Sequence, residues 1–212
     1  FRGVVEPTGG LVELMVAQRQ DQLAERLPSV LLPIPESPVK VVPGIQTRAQ
    51  AAGLESLWSP LVIALRDLDD TGTDVLVDGG RLAWTGSLNP LVLGADVLLL
   101  ATGSNLPVVA KTRALAADLA DQRPSGVGLL IIGPGRPYGI GEVAKALGLP
   151  AVGRIEWDAR AAAVYSQGDA PARHAERSAF QASIRATGEA IRALAESARR
   201  PASPSLSIGG VR

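Results

Sequence analysis

Asp78 carries the clearest chemical signal in the chain. It ends the apolar run Asp74-Val75-Leu76-Val77 and is followed at once by Gly79 and Gly80. A carboxylate at a strand tip beside mobile backbone suits a hydrated magnesium ion held next to a nucleotide phosphate. The alternative for Asp78 is a strand-end Asp that caps a turn or a following helix. Asp74, at the start of the run, reads as a solvated turn residue. A metal-nucleotide site of this kind usually works with a second loop, Gly-rich and ending in Lys-Ser/Thr, whose backbone N–H groups cradle the phosphates. None of the 212 residues forms such a loop. His174, the only histidine, lies between Arg173 and Ala175 with no metal-ligand or triad partner in the sequence, and is assigned no role.

Parts of a scaffold must place Asp78, and the composition says which kind. With 46% hydrophobic and 20% charged residues, the chain can bury a sizeable core in one domain. The 21 basic and 21 acidic residues cancel, so any contact with nucleic acid or an acidic membrane has to be a local patch. The absence of cysteine excludes a disulfide scaffold and a Cys-based zinc site, and fits a cytoplasmic location. The longest apolar runs, such as Leu91 to Thr102, are too short and interrupted to span a bilayer. No secretory signal opens the sequence, which begins at Phe1 in a strand-like run and reads as a chain with residues removed upstream.

The pattern along the chain predicts strand, glycine turn and helix over Phe1 to Leu27, with Pro7-Thr8-Gly9-Gly10 as the turn and Leu11, Leu14, Met15, Leu23 and Leu27 at helical spacing. Val30 to Ile34 and Val39 to Val42 are short strands or one interrupted edge strand. Gln46 to Leu68 is helical, and Pro60 is expected to break it. Then come strand Asp74 to Val77, strand Asp96 to Ala101, helix Leu106 to Ala120, strand Gly126 to Ile132, helix Ile140 to Leu147 and strand Ala151 to Ile155. Apolar strands alternating with helices indicate an α/β fold with a mostly parallel sheet covered on both faces, a three-layer architecture. Ligands of such sheets bind at the carboxyl ends of the strands. Ala175 to Arg199 is a long helix with Phe180, Ile184, Ile191, Leu194 and Ala198 as its apolar stripe. The domain is expected to span 1–199, and 200–212, rich in Ser, Pro and Gly, to be a disordered tail.

Three segments in order, Val4-Val5-Glu6-Pro7-Thr8-Gly9-Gly10, Asp74-Val-Leu-Val-Asp78-Gly79-Gly80 and Ala95-Asp96-Val-Leu-Leu-Leu100, resemble the ParA/MinD family of P-loop ATPases. Gly133-Pro134-Gly135-Arg136-Pro137-Tyr138, Glu142 to Pro150 and Gly153-Arg154-Ile155-Glu156-Trp157-Asp158 look like that family's late strand, helix and nucleotide-base loop. The resemblance covers about residues 1 to 195 and rests on order and spacing, since each motif alone is weak.

The resemblance implies a P-loop NTPase-like fold lacking the Walker A segment, a homodimer that sandwiches ATP and magnesium, and a nucleotide switch acting on a partner protein, membrane or DNA. It makes Asp78 the magnesium carboxylate, with Gly79 and Gly80 beside the nucleotide. Glu6 becomes either the switch carboxylate that orients water or a strand-end Glu in a sharp turn. Gly133, Gly135 and Arg136 line a base pocket, with Arg136 or Tyr138 on the purine, or form a rigid strand-to-helix connection. Trp157 and Asp158 occupy the base-contacting loop, although an aromatic there also serves as a lid on a core.

The sequence departs from the family where Val4 and Glu6 stand in place of the usual Asp-x-Asp of the switch turn, and Gly133 or its neighbours in place of an adenine-reading Asn. The family's biology is spatial organisation of the bacterial cell: partitioning of chromosomes or plasmids, placement of the division site, or positioning of a secretion or pilus machine. An intact parent is expected to hydrolyse ATP, and this chain is not, lacking the cradle and its Lys. The competing expectation is a noncatalytic scaffold for dimerisation or partner docking. Lys111, Arg113, Arg185, Arg192, Arg199 and Arg200 are the only candidates for non-specific DNA contacts, and a solvated helix face explains them better. A dinucleotide oxidoreductase is disfavoured because no Gly-x-Gly-x-x-Gly turn opens a helix.

Overall fold

The computed structural model describes residues 9–35, 37–45, 47, 50–51, 53–69, 72–80, 90–123 and 125–199. Glu6 and the tail 200–212 lie outside them. Two compact units divide the described residues, one within 1–95 together with 166–168 and the other within 96–165 and 169–199.

The first unit is mainly helical. Helices α1 (Leu11–Arg19) and α2 (Leu23–Arg26) run into a 3-10 turn (Leu27–Val30), followed by strands β1 (Leu32–Pro33) and β2 (Lys40–Val41), then helices α3 (Glu55–Asp69) and α4 (Pro90–Gly94). The helical spacing of Leu11 to Leu27 is divided between α1 and α2 because Asp21 takes a left-handed φ of 59°. Its core is Leu14, Leu23, Leu27, Val30, Leu54, Leu57, Leu61 and Ala64. The two short strands pair with each other, antiparallel, Leu32 opposite Val41.

Pro60 does not break α3, which continues through it. The carbonyl that loses its helical partner is that of Ser56, and Ser56 is exposed, so water has access to it. The expected strand Asp74 to Val77 is also corrected. Residues 73–80 take no regular secondary structure, form no ladder among the described residues, and are exposed, Leu76 at 93%. An apolar run becomes a strand only when another strand takes its backbone groups, and none does so among the described residues.

The second unit is the α/β layer. It contains β3 (Leu98–Gly103), α5 (Leu106–Gln122), β4 (Val127–Ile132), α6 (Ile140–Leu147), β5 (Ala151–Ile155), α7 (Ala159–Ser166), a 3-10 turn (Ala175–Arg177) and α8 (Ala179–Arg199). The strands form a parallel sheet in the order β3-β4-β5. Leu100 and Thr102 of β3 sit beside Leu129 and Ile131 of β4, and Thr102 meets Thr112 of α5 across 3.3 Å. That face therefore lies under α5, with α6 packed alongside. Leu130 of β4 is level with Gly153 of β5 on the opposite face, and Gly153 lies against Thr187 of α8. Helices thus lie on both sides of the sheet, α5 over one face and α8 against β5 from the other, and Leu129 and Ile131 beneath α5 are fully buried.

The packing face of α8 is rotated from the expected stripe. Phe180, Ser183 and Thr187 are its buried residues, while Ile184 is exposed. Hydroxyls win over the larger apolar side chain because they bond to β5 and allow a closer approach.

Candidate functional site

The three parallel strands end on one rim, and the loops that follow them meet there. Leaving β3, Gly103 leads to Ser104, whose side chain is buried at 2% exposure. Ser104 Oγ donates to the Gly133 carbonyl at 2.6 Å and accepts the Arg136 N–H at 3.1 Å. Its own carbonyl accepts the Tyr138 N–H at 3.2 Å. One serine on β3's rim thus fixes the whole loop after β4 at three points. Asn105 begins α5, its Oδ1 accepting the Val108 N–H at 3.1 Å as an N-cap.

Gly133 donates its N–H to the Ile155 carbonyl at 2.8 Å, extending the β4–β5 ladder by one rung. Its φ is 65°, and a Cβ there would lie 3.2 Å from Arg136 Cδ and 3.3 Å from the Trp157 ring. Glycine is required on both counts. Gly135, also at positive φ, closes the turn by donating to the Tyr138 carbonyl at 2.7 Å. Over this floor the Arg136 guanidinium stacks on Trp157, 4.8 Å from the ring centroid. Trp157 is 58% exposed, so it is no lid on a core.

Beside the stack, Asp158 Oδ1 accepts the Ala161 N–H at 2.9 Å and caps α7. At the far end of the loop, Glu142 Oε2 accepts the Gly139 N–H at 2.7 Å and anchors α6. The structure brings together Gly133, Gly135, Arg136 and Trp157, and adds Ser104. A serine directly after an apolar strand was visible in the sequence, but its partner lies 29 positions away, which no local pattern reveals.

Asp78, Gly79 and Gly80 belong to the first unit. There Asp78, an exposed residue, accepts the Gly80 N–H on its Oδ1 at 2.8 Å, a local turn. Among the described residues no three His, Asp or Glu side chains cluster to hold a metal.

The backbone compares closely with solved structures. It superposes on the cell division ATPase MinD of Pyrococcus furiosus with a TM-score of 0.66, at 16% identity, over 91% of this chain and 78% of that one. The chain has the ParA/MinD-like P-loop ATPase fold. The MinD cell division protein of Aquifex aeolicus aligns over 85% of this chain and 79% of its own, at 12% identity and a TM-score of 0.61. A ParA family ATPase from Chlorobium tepidum aligns over 89% and 76%, at 16% identity and a TM-score of 0.62. No protein-family model and no curated protein matches the sequence. Identities this low extend the likeness to the ParA/MinD-like fold alone.

Proposed function

We propose that this chain is a ParA/MinD-like nucleotide-switch protein of bacterial spatial organisation, working as a cytoplasmic homodimer with a partner protein. The observation that carries this reading is the gathered rim of Ser104, Gly133, Arg136 and Trp157 at the carboxyl ends of three parallel strands. Ligands of open α/β sheets bind at that rim. Chromosome or plasmid partitioning, division-site placement and positioning of a secretion or pilus machine are the processes such a switch serves. Among the described residues no helix is long and apolar enough to cross a membrane.

ATP and magnesium are the implied ligands, and the residues present fit them unequally. Trp157 offers a flat face to a base, and the exposed Arg136 guanidinium can lie on a purine or meet a phosphate. In the first unit, taken by itself, Asp78 offers one carboxylate to a hydrated magnesium ion. The triphosphate itself has no Gly-rich loop and no loop Lys among the 212 residues. Catalysis of phosphoryl transfer rests on that cradle and charge. This chain therefore does not turn over ATP. Incubation of the 212-residue chain with radiolabelled ATP and magnesium is expected to release no phosphate above buffer, and saturable turnover would overturn the reading.

A second reading, a noncatalytic scaffold for dimerisation or docking, is favoured by two contacts. Arg136 already covers the Trp157 face, and Asp78 already closes a turn on Gly80. Calorimetric titration with Mg-ADP separates the two. Saturable heat supports the nucleotide switch, whereas a dimer that forms with no heat of nucleotide binding supports the scaffold.

A further inference from the structure

Among the described residues β5 is the end strand of its sheet. The Ile155 carbonyl turns toward β4, where it accepts the Gly133 N–H. Backbone groups of successive strand residues point to opposite sides, so the Arg154 carbonyl and the Glu156 N–H face outward, where a further strand would pair. Helix α8 meets both. Thr187 Oγ1 donates to the Arg154 carbonyl at 2.9 Å, and Ser183 Oγ accepts the Glu156 N–H at 3.0 Å while donating to the Phe180 carbonyl at 2.7 Å.

The spacing explains why one helix can do this. Residues four apart on a helix are separated by about 6 Å along its axis. Residues two apart on a strand are separated by about 6.6 Å. Ser183 and Thr187 therefore advance along α8 by about as much as Glu156 and Arg154 do along β5, and present an acceptor to one and a donor to the other. Gly153 permits the approach, since a Cβ there would stand 2.5 Å from Thr187 Cγ2.

We propose that α8 is a strand surrogate that occupies the pairing edge of β5 and so keeps that edge from pairing with the β5 of a second copy. The second copy is the fitting occupant because the edge is self-complementary. An antiparallel two-fold pairing centred on Ile155 sets the outward groups of Arg154 opposite those of Glu156 in the other copy, and the reverse. It also sets the Arg154 cation across from the Glu156 anion, two charges that within one chain pair with each other at 3.3 Å.

The test is the double variant Ser183→Ala, Thr187→Val, compared with the unaltered chain at equal concentration without nucleotide. Hydrogen exchange at the Glu156 amide is expected to quicken by about fivefold or more, the loss of one ordinary hydrogen bond. Sedimentation should show association that rises with concentration beyond that of the unaltered chain, and adding Arg154→Glu should reverse it by placing like charges face to face. Thr187→Ser keeps a hydroxyl and should behave as the unaltered chain. Unchanged exchange at Glu156, or faster exchange with no added association, overturns the proposal. Should the double variant not fold, the unaltered chain decides: a Glu156 amide that exchanges as fast as a free peptide also overturns it.

Discussion

Ser104 shows how much a single side chain can settle at the rim. Its hydroxyl is donor to one loop carbonyl and acceptor for one loop N–H, both 29 or more residues away in sequence. Ser104→Ala leaves the Arg136 N–H and the Gly133 carbonyl without their partner, and is expected to cost about 1–3 kcal/mol. Urea unfolding of the purified variant measures this. Gly133 answers to two constraints at once, the left-handed backbone and the roof of Arg136 and Trp157. Gly133→Ala is expected to destabilise by about 1–3 kcal/mol and to move the Arg136 guanidinium off the ring. A change in Trp157 fluorescence that accompanies the shift in urea midpoint would separate the roof effect from the backbone effect.

Among the elements, helices of the second unit are tied down by side chains at their first turns, α5 by Asn105, α6 by Glu142, α7 by Asp158 and α8 by Ser178. Asn105→Ala is expected to cost about 1 kcal/mol, read as a lower thermal midpoint. Helix α3 carries the opposite kind of feature. Pro60 sits inside it and forfeits a helical bond, so Pro60→Ala should raise stability by about 1–2 kcal/mol. The gain is smaller than the full cost of proline in a helix because proline also restricts the unfolded chain. Calorimetric unfolding shows its sign directly. In the central strand, Leu129 is wholly buried between α5's face and its neighbours, and Leu129→Ala should lose about 2–5 kcal/mol.

For the molecule as a whole, the β3–α5–β4–α6–β5 alternation was legible in the sequence, nearly to the residue for α6 and β5. Apolar strands and helical spacing are local signals, and each was strong enough to survive packing. Residues 74–77 were read as a strand on the same signal and form no ladder among the described residues. The difference lies outside the segment, in whether another strand offers its backbone groups. The rim was legible in part. Gly133, Gly135, Arg136 and Trp157 stood out by residue type, and the turn that holds the first three meets Trp157 because β4 and β5 are adjacent and parallel. Ser104 and the edge-binding pair Ser183 and Thr187 were not legible, since a serine or threonine announces no partner.

The sequence by itself determined which segments are apolar, where the chain must turn, and that none of these 212 residues forms a Gly-rich loop with a Lys. Composition and spacing are properties of neighbouring residues, so they need no fold to be read. Only the tertiary structure decided that Arg136 lies on Trp157, that Ser104 holds the loop beneath them, and that α8 turns its hydroxyls rather than Ile184 toward β5. Those contacts join residues about 20 to 33 positions apart, where which groups meet depends on strand order and register and on how closely two elements can approach.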